Sequence, residues 1–210
     1  IDTHPPGEAF VVTSAPTFAQ VRAILWREMH KTHAKAELQG EMNQTEWKIG
    51  GELVAMGRKP ADYDEAAFQG IHARYVLVIL DEASGIPPSL WTAAETLITN
   101  EESRLLAIGN PYDPNSPFAK ACRPNSGWNV IGISAFETPA FSDEDVPEEL
   151  LSLLVSPRWV GERRKRWGVD SPLWVSKVKG EFPDRSDDSL IRLSWIERAR
   201  ERELRPSGEV

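Results

Sequence analysis

The run Tyr75-Val76-Leu77-Val78-Ile79-Leu80 leads straight into two adjacent carboxylates, Asp81-Glu82, and then into Ala83-Ser84-Gly85. Six apolar residues, mostly β-branched or aromatic, predict a strand buried on both faces. Such a strand belongs in the middle of a covered, mostly parallel sheet. Ligands of open α/β sheets gather outside the carboxyl ends of their strands, where Asp81 and Glu82 fall. Successive strand residues face opposite sides and the turn then re-aims them, so neighbouring acids at such an end can do different work. A simpler reading is a strand that stops at an acidic turn, with Asp or Glu capping the helix that follows.

Three further strands and a hairpin are expected. Residues 8–12 read as a short buried strand. A helix then runs from Phe18 to about His33, with Phe18, Val21, Ile24, Leu25 and Met29 at helical spacing and Thr17 as its N-cap. Gln20 on its first turn is a candidate ligand contact. Trp47-Lys48-Ile49 and Glu52-Leu53-Val54-Ala55-Met56, around Gly50-Gly51, suggest paired strands. Residues 61–70 read as a short helix capped by Gly70. After the acids, Pro87-Pro88 opens a helix through Leu97, and Ser103-Arg104-Leu105-Leu106-Ala107-Ile108 reads as a strand ending in Gly109-Asn110-Pro111. If it runs parallel to 75–80, it delivers Asn110 to the edge that holds Asp81 and Glu82. Trp128 to Ser134 reads as a further strand.

A formal charge of −8 argues against a surface that binds nucleic acid everywhere, and leaves room for a local basic stripe. One cysteine, Cys122, excludes an internal disulfide, and no apolar stretch approaches the roughly 20 residues that span a bilayer. The four histidines show no metal-ligand spacing with Cys122. Asp143 to Leu154 reads as a helix with an acidic start. Residues 158–167, with Arg163 and Arg164, form the one dense basic and aromatic stretch, and 195–204 reads as a helix of alternating charge.

Together, Phe10-Val11-Val12-Thr13-Ser14-Ala15-Pro16-Thr17 with Gln20-Val21, Gln69-Gly70-Ile71-His72-Ala73, Leu77 to Ala83 and Ile108-Gly109-Asn110-Pro111 resemble the ATPase half of the large terminase subunit of tailed bacteriophages. Trp167-Gly168-Val169-Asp170-Ser171-Pro172, Lys179-Gly180-Glu181-Phe182-Pro183 and Leu190-Ile191 resemble the segment that closes that domain, so the likeness spans roughly residues 9–196. It implies a P-loop NTPase-like α/β fold of the ASCE type, with a mostly parallel sheet flanked by helices and a small C-terminal helical lid. Residues 1–142 would be a partial ATPase core, and 143–210 a helical lid and linker. Asp81-Glu82 would be the Walker B pair, Asp81 holding Mg²⁺ and Glu82 acting as general base toward the hydrolytic water. Asn110 would be the coupling residue, while Gln20, Arg163 and Arg164 are candidate contacts to nucleotide or DNA. The implied cofactors are ATP and Mg²⁺. The implied partners are double-stranded DNA, the portal protein, the small terminase subunit and other copies in a ring, in the cytoplasm of an infected or lysogenic bacterial host.

No Gly in the sequence is followed by Lys, so the Walker A pattern G-x-x-x-x-G-K-[ST] is absent. The family's P-loop strand lies between the strands placed here at 103–108 and 128–134. The reading is therefore an internal piece of such a protein, lacking the P-loop and the nuclease domain and binding Mg·ATP weakly or not at all. Two alternatives stand beside it. One is another ASCE ATPase such as a superfamily 2 helicase, against which Gly109-Asn110-Pro111 weighs. The other is a non-catalytic assembly domain.

Overall fold

The computed structural model describes residues 4–5, 7–59, 68, 70–142, 144–184 and 193–201. The chain divides into two compact units, Ile1–Gly109 with Ser116–Phe118, and Asn110–Asn115 with Ala119–Val210.

The first unit is built on a six-stranded sheet. Its strands are β1 (Ala9–Ser14), β2 (Glu41–Asn43), β3 (Glu46–Ile49), β4 (Glu52–Gly57), β5 (Tyr75–Leu80) and β6 (Arg104–Ala107), in the order β2-β3-β4-β1-β5-β6. β4, β1, β5 and β6 are mutually parallel, and β2 and β3 pair antiparallel at one end. The mostly parallel α/β architecture expected from the apolar strands is the one observed. The hairpin at 46–57 forms as expected, but β4 also pairs with β1, which makes it an internal strand.

One helical run covers one face of β1. α1 (Phe18–Gln20) passes through a π-helical segment (Val21–Trp26) into α2 (Arg27–Lys35). Thr17 and Gln20 form a capping box at its start, so the N-cap expected there is present. Ala15, Val21, Trp26, Trp47, Val54 and Ala55 form a buried cluster, with Val11 and Met29 packed against it. The Trp26 indole Nε1–H donates to Thr13 Oγ1 at 2.8 Å, which satisfies both buried polar groups. Gly57 is required by this packing: a Cβ there would lie 2.7 Å from both Trp26 Cδ1 and Val21 Cγ1. β5 alternates half-buried and buried residues, and α3 (Pro88–Glu95) buries Leu90, Trp91, Ala93 and Ala94. α4 (Pro117–Ala121) follows β6 in the chain.

In the second unit, Trp128 to Ser134 does not form the expected strand, and none of these residues joins a sheet with the described residues. Val130, Ile131 and Ile133 are 48%, 77% and 68% exposed. Strand-like composition needs a neighbouring strand to pair with, and no described residue supplies one. The segment ends in a capping box between Ser134 and Glu137, with Gly180 against its backbone, where a Cβ would meet the Ile133 carbonyl. The helix expected over 143–154 is reduced to α5 (Glu148–Leu151), because Pro147 precedes its first turn. α6 (Pro157–Trp167) carries the basic and aromatic stretch. It leads by Gly168 to α7 (Pro172–Trp174), whose π-helical continuation Val175–Lys179 the sequence reading missed. Ala135, Val160, Trp174 and Val178 form the small core here. α8 (Leu193–Glu201) closes the described chain. The helix expected at 61–70, apart from Phe68 and Gly70, and the Leu190-Ile191 match lie outside the described residues.

Candidate functional site

Parallel pairing brings the ends of four strands to one edge of the sheet. β1 aligns Ser14 with Leu80, and β5 aligns Leu80 with Ala107. The ladder continues past the last strand residues: Asp81 N–H donates to the Ser14 carbonyl at 2.9 Å, and Ile108 N–H to the Leu80 carbonyl at 2.9 Å. Asp81 and Glu82 therefore begin where the sheet ends, both half-buried.

The acidic turn is locked in an uncommon conformation. Glu82 has φ +50° and ψ +47°, left-handed for a residue with a side chain, at a cost on the order of 1–3 kcal/mol. Four hydrogen bonds hold the turn. Glu82 N–H donates to Asp81 Oδ1 at 3.0 Å, Gly85 N–H donates to the Glu82 carbonyl at 2.9 Å, Ala83 N–H donates to the Ile108 carbonyl at 2.9 Å, and Ile86 N–H donates to the Ala83 carbonyl at 3.2 Å. Gly109 completes the fit. Its φ lies outside the left-handed region, and glycine is required here by close approach: a Cβ would sit 2.8 Å from Ala83 N and 3.2 Å from the Glu82 carbonyl carbon. Strain that the surroundings over-determine in this way is a mark of functional turns.

Asn110 is the next residue after Gly109 and begins the second unit, where its carbonyl accepts Tyr112 N–H at 3.0 Å. Gln20 lies past the end of β1, and its Oε1 is taken by the cap, accepting from Thr17 N–H at 3.0 Å and Thr17 Oγ1 at 2.8 Å. Arg163 is held on its own helix, with its guanidinium carbon 5.5 Å from the ring centres of both Trp159 and Trp167 and Nη2 3.7 Å from Glu162. Such stacking ties up a cation face. Arg164 is exposed on the same helix. His72 and Arg74 precede β5 and so fall at the opposite edge from Asp81; Arg74 pairs with Glu8 there at 4.0 Å. Burial raises the Cys122 thiol pKa, which keeps it protonated and unreactive.

Among the described residues no group of three or more His, Cys, Asp or Glu is arranged to hold a metal ion, and no helix is long and apolar enough to cross a membrane. Asp81 and Glu82 alone suit a cation that takes its other ligands from water and phosphate. Magnesium at a nucleotide is such a case.

The sequence reading missed two groups at this edge. Arg58 follows β4, and its N–H donates to the Thr13 carbonyl at 2.9 Å, so it too stands at the carboxyl end. Ser14 is fully buried and its hydroxyl has no hydrogen-bond partner. The signal that marks Arg58 is long-range pairing of β4 with β1, which no local pattern carries.

No protein-family model matches the chain. It is 29% identical over 148 residues to a probable terminase large subunit of Enterobacteria phage P7, a match that covers 68% of this chain and 28% of that protein. The chain thus spans under a third of the length of this relative. The fold is similar to that of the large terminase from a thermophilic bacteriophage, with a TM-score of 0.56 and 13% identity over 84% of this chain and 41% of that one. It is also similar to the large terminase ATPase domain of Thermus phage P74-26, with a TM-score of 0.51 and 19% identity over 84% of this chain and 77% of that domain. With the parallel sheet and the acidic turn at its edge, these likenesses make the chain a terminase large-subunit ATPase-domain-like protein.

Proposed function

We propose that this chain supplies the catalytic acidic turn of an ATP-driven motor that moves double-stranded DNA into a viral procapsid. The observation that carries the reading is Glu82 in a left-handed conformation, pinned between the ends of β5 and β6 at the carboxyl edge. On this reading residues 1–142 are ATPase core and 143–210 its lid and linker. The motor works at the portal protein, with the small terminase subunit and further copies of the chain, in the cytoplasm of an infected bacterium.

A magnesium ion bound with the nucleotide would supply positive charge against the charge that develops as the γ-phosphoryl leaves, and Asp81 is the residue that would hold it. One oxygen of the Asp81 carboxylate, Oδ1, also accepts Glu82 N–H, which fixes the orientation of the group. Glu82 accepts a proton from the attacking water at its carboxylate. Asn110 relays loss of the γ-phosphate. Of the other candidate contacts, Arg164 is the most open to ligand, because Gln20 is occupied by its cap and Arg163 by two indoles.

The Walker A pattern is not among these 210 residues, because no Gly-Lys pair occurs. β6 is a sheet edge, with Leu106 46% and Ile108 51% exposed, and is where the reading puts a further parallel strand bearing the P-loop. Two carboxylates repel a polyphosphate when nothing offsets its charge. The 210-residue chain is accordingly expected to hydrolyse ATP no faster than background. Robust turnover abolished by Glu82→Gln would show phosphate-binding groups elsewhere in the chain.

In the full-length protein, Asp81→Asn is expected to weaken magnesium-dependent nucleotide binding by removing a charged metal ligand. Binding without the metal changes little. Titration of a fluorescent ATP analogue with and without Mg²⁺ measures both, and an unaltered magnesium dependence would contradict the assignment of Asp81.

A further inference from the structure

The chain leaving β6 grips the acidic turn from outside. Ile108 uses both of its main-chain groups there: its N–H donates to the Leu80 carbonyl and its carbonyl accepts Ala83 N–H, each at 2.9 Å. The two residues bracketed by those bonds are Asp81 and Glu82. Gly109 follows, and its φ does not call for glycine. Contact does: a Cβ there would also lie 3.4 Å from Glu82 Cα, besides its closer approach to Ala83 N and the Glu82 carbonyl carbon. All three are main-chain atoms, so no side chain can swing aside.

Glu82 needs an outside support. A residue with a side chain stays in the left-handed region only where its surroundings over-determine it. Of the four hydrogen bonds that hold the turn, three join residues within 81–86 and move with it. The bond from Ala83 N–H to the Ile108 carbonyl is the one that ties it to another strand. That bond keeps its length because residue 109 has no Cβ.

We propose that Gly109 is a positioning residue, which lets the chain after β6 close on the Glu82–Ala83 peptide and so keeps Glu82 in its left-handed state. The proposal rests on the function above, in which Glu82 is the base. It also supplies a route for regulation. Gly109 shares a peptide bond with Asn110, so a shift of the residue assigned the γ-phosphate relay reaches the Glu82 backbone without passing through any side chain. With Asn110 held by nucleotide, the turn stays closed. With Asn110 released, the Ala83 amide parts from the Ile108 carbonyl and Glu82 relaxes.

The test measures single-turnover hydrolysis, equilibrium ATP binding and amide hydrogen exchange in the full-length protein. Gly109→Ala is expected to slow hydrolysis about 10²-fold, the cost of misplacing a catalytic group by about 1 Å, with ATP affinity nearly unchanged. In a Glu82→Gln background the same substitution is expected to cost nothing further, because the carboxylate it displaces is already gone. A general loss of stability would slow both backgrounds alike. Exchange across residues 81–86 is expected to rise in Gly109→Ala while β1 and β5 keep their protection. If Gly109→Ala does not fold, the unmodified protein decides: exchange across 81–86 is expected to be slower with a non-hydrolysable ATP analogue bound than with ADP. The proposal is overturned if Gly109→Ala leaves the rate or the exchange of 81–86 as it was, if the two substitutions add, or if both nucleotides give the same exchange. Failure of the catalytic reading is seen separately, as an unaltered rate in Glu82→Gln alone, and the exchange of 81–86 in Gly109→Ala does not depend on that rate.

Discussion

Glu82→Gln is expected to slow ATP hydrolysis in the full-length protein by roughly 10²–10⁴-fold, the range for loss of a general base, with nucleotide affinity nearly unchanged. Each tenfold loss corresponds to about 1.4 kcal/mol of barrier, so the change is about 3–5 kcal/mol. The substitution is clean for a structural reason. The hydrogen bonds Glu82 makes in the turn use its main chain, through N–H to Asp81 Oδ1 and the carbonyl to Gly85 N–H. Glutamine matches glutamate in size and tolerates the same backbone, so the left-handed turn survives and only the proton acceptor is lost. Single-turnover hydrolysis, measured beside equilibrium ATP binding, separates the two effects. If hydrolysis proceeds at the unmodified rate, Glu82 is not the base and the acidic turn has another purpose.

The central strand and its acids were legible because both signals are local. Six apolar residues in a row need burial on two faces, and the carboxylates that follow cannot share it, so strand and boundary are written in the same eight residues. The helix after β1 was legible for the same reason, through the spacing of Phe18, Val21 and Met29 and the Thr17 cap. What the sequence left hidden depends on partners distant in the chain. β4 looks like half of a hairpin, and only its parallel pairing with β1 turns it into an inner strand that carries Arg58 to the site edge. The left-handed φ of Glu82 has no sequence marker, since Gly and Asn are the usual occupants of that region. Gly109 was visible, but its purpose was not. It clears space for the backbone of Glu82 and Ala83, residues reached through the β5–β6 pairing. Trp128 to Ser134 misled in the opposite direction, because its β-branched composition states a preference that needs a neighbouring strand to be realised.

Trp26→Ala is expected to destabilise the first unit by about 3–5 kcal/mol, a large share of the roughly 5–15 kcal/mol that holds a typical domain folded. Trp26 is fully buried and shares a cluster with Val21 on its own helix, Ala15 after β1, Trp47 on β3, and Val54 and Ala55 on β4. Truncation leaves a cavity that these elements share, and it strands the Thr13 hydroxyl, whose hydrogen bond comes from the Trp26 indole. Volume and hydrogen bond can be separated. Trp26→Phe keeps most of the ring and loses the donor, so its cost is smaller, and adding Thr13→Val removes the orphaned acceptor and recovers part of that cost. Gly57→Ala attacks the same contact from the other side, because its new methyl lands on the indole and the sheet backbone cannot retreat. Urea denaturation of the four variants gives the order directly, with Trp26→Ala the least stable of the Trp26 set and the Trp26→Phe, Thr13→Val pair more stable than Trp26→Phe alone. Thr13 precedes Ser14, whose carbonyl anchors Asp81 N–H, so this cluster also sets the position of the strand end from which the acidic turn departs. Loosening it should therefore reduce magnesium-dependent nucleotide binding in the full-length protein before global unfolding is detectable, and unchanged binding in Trp26→Phe would show that β5 and β6 hold the turn without help from β1.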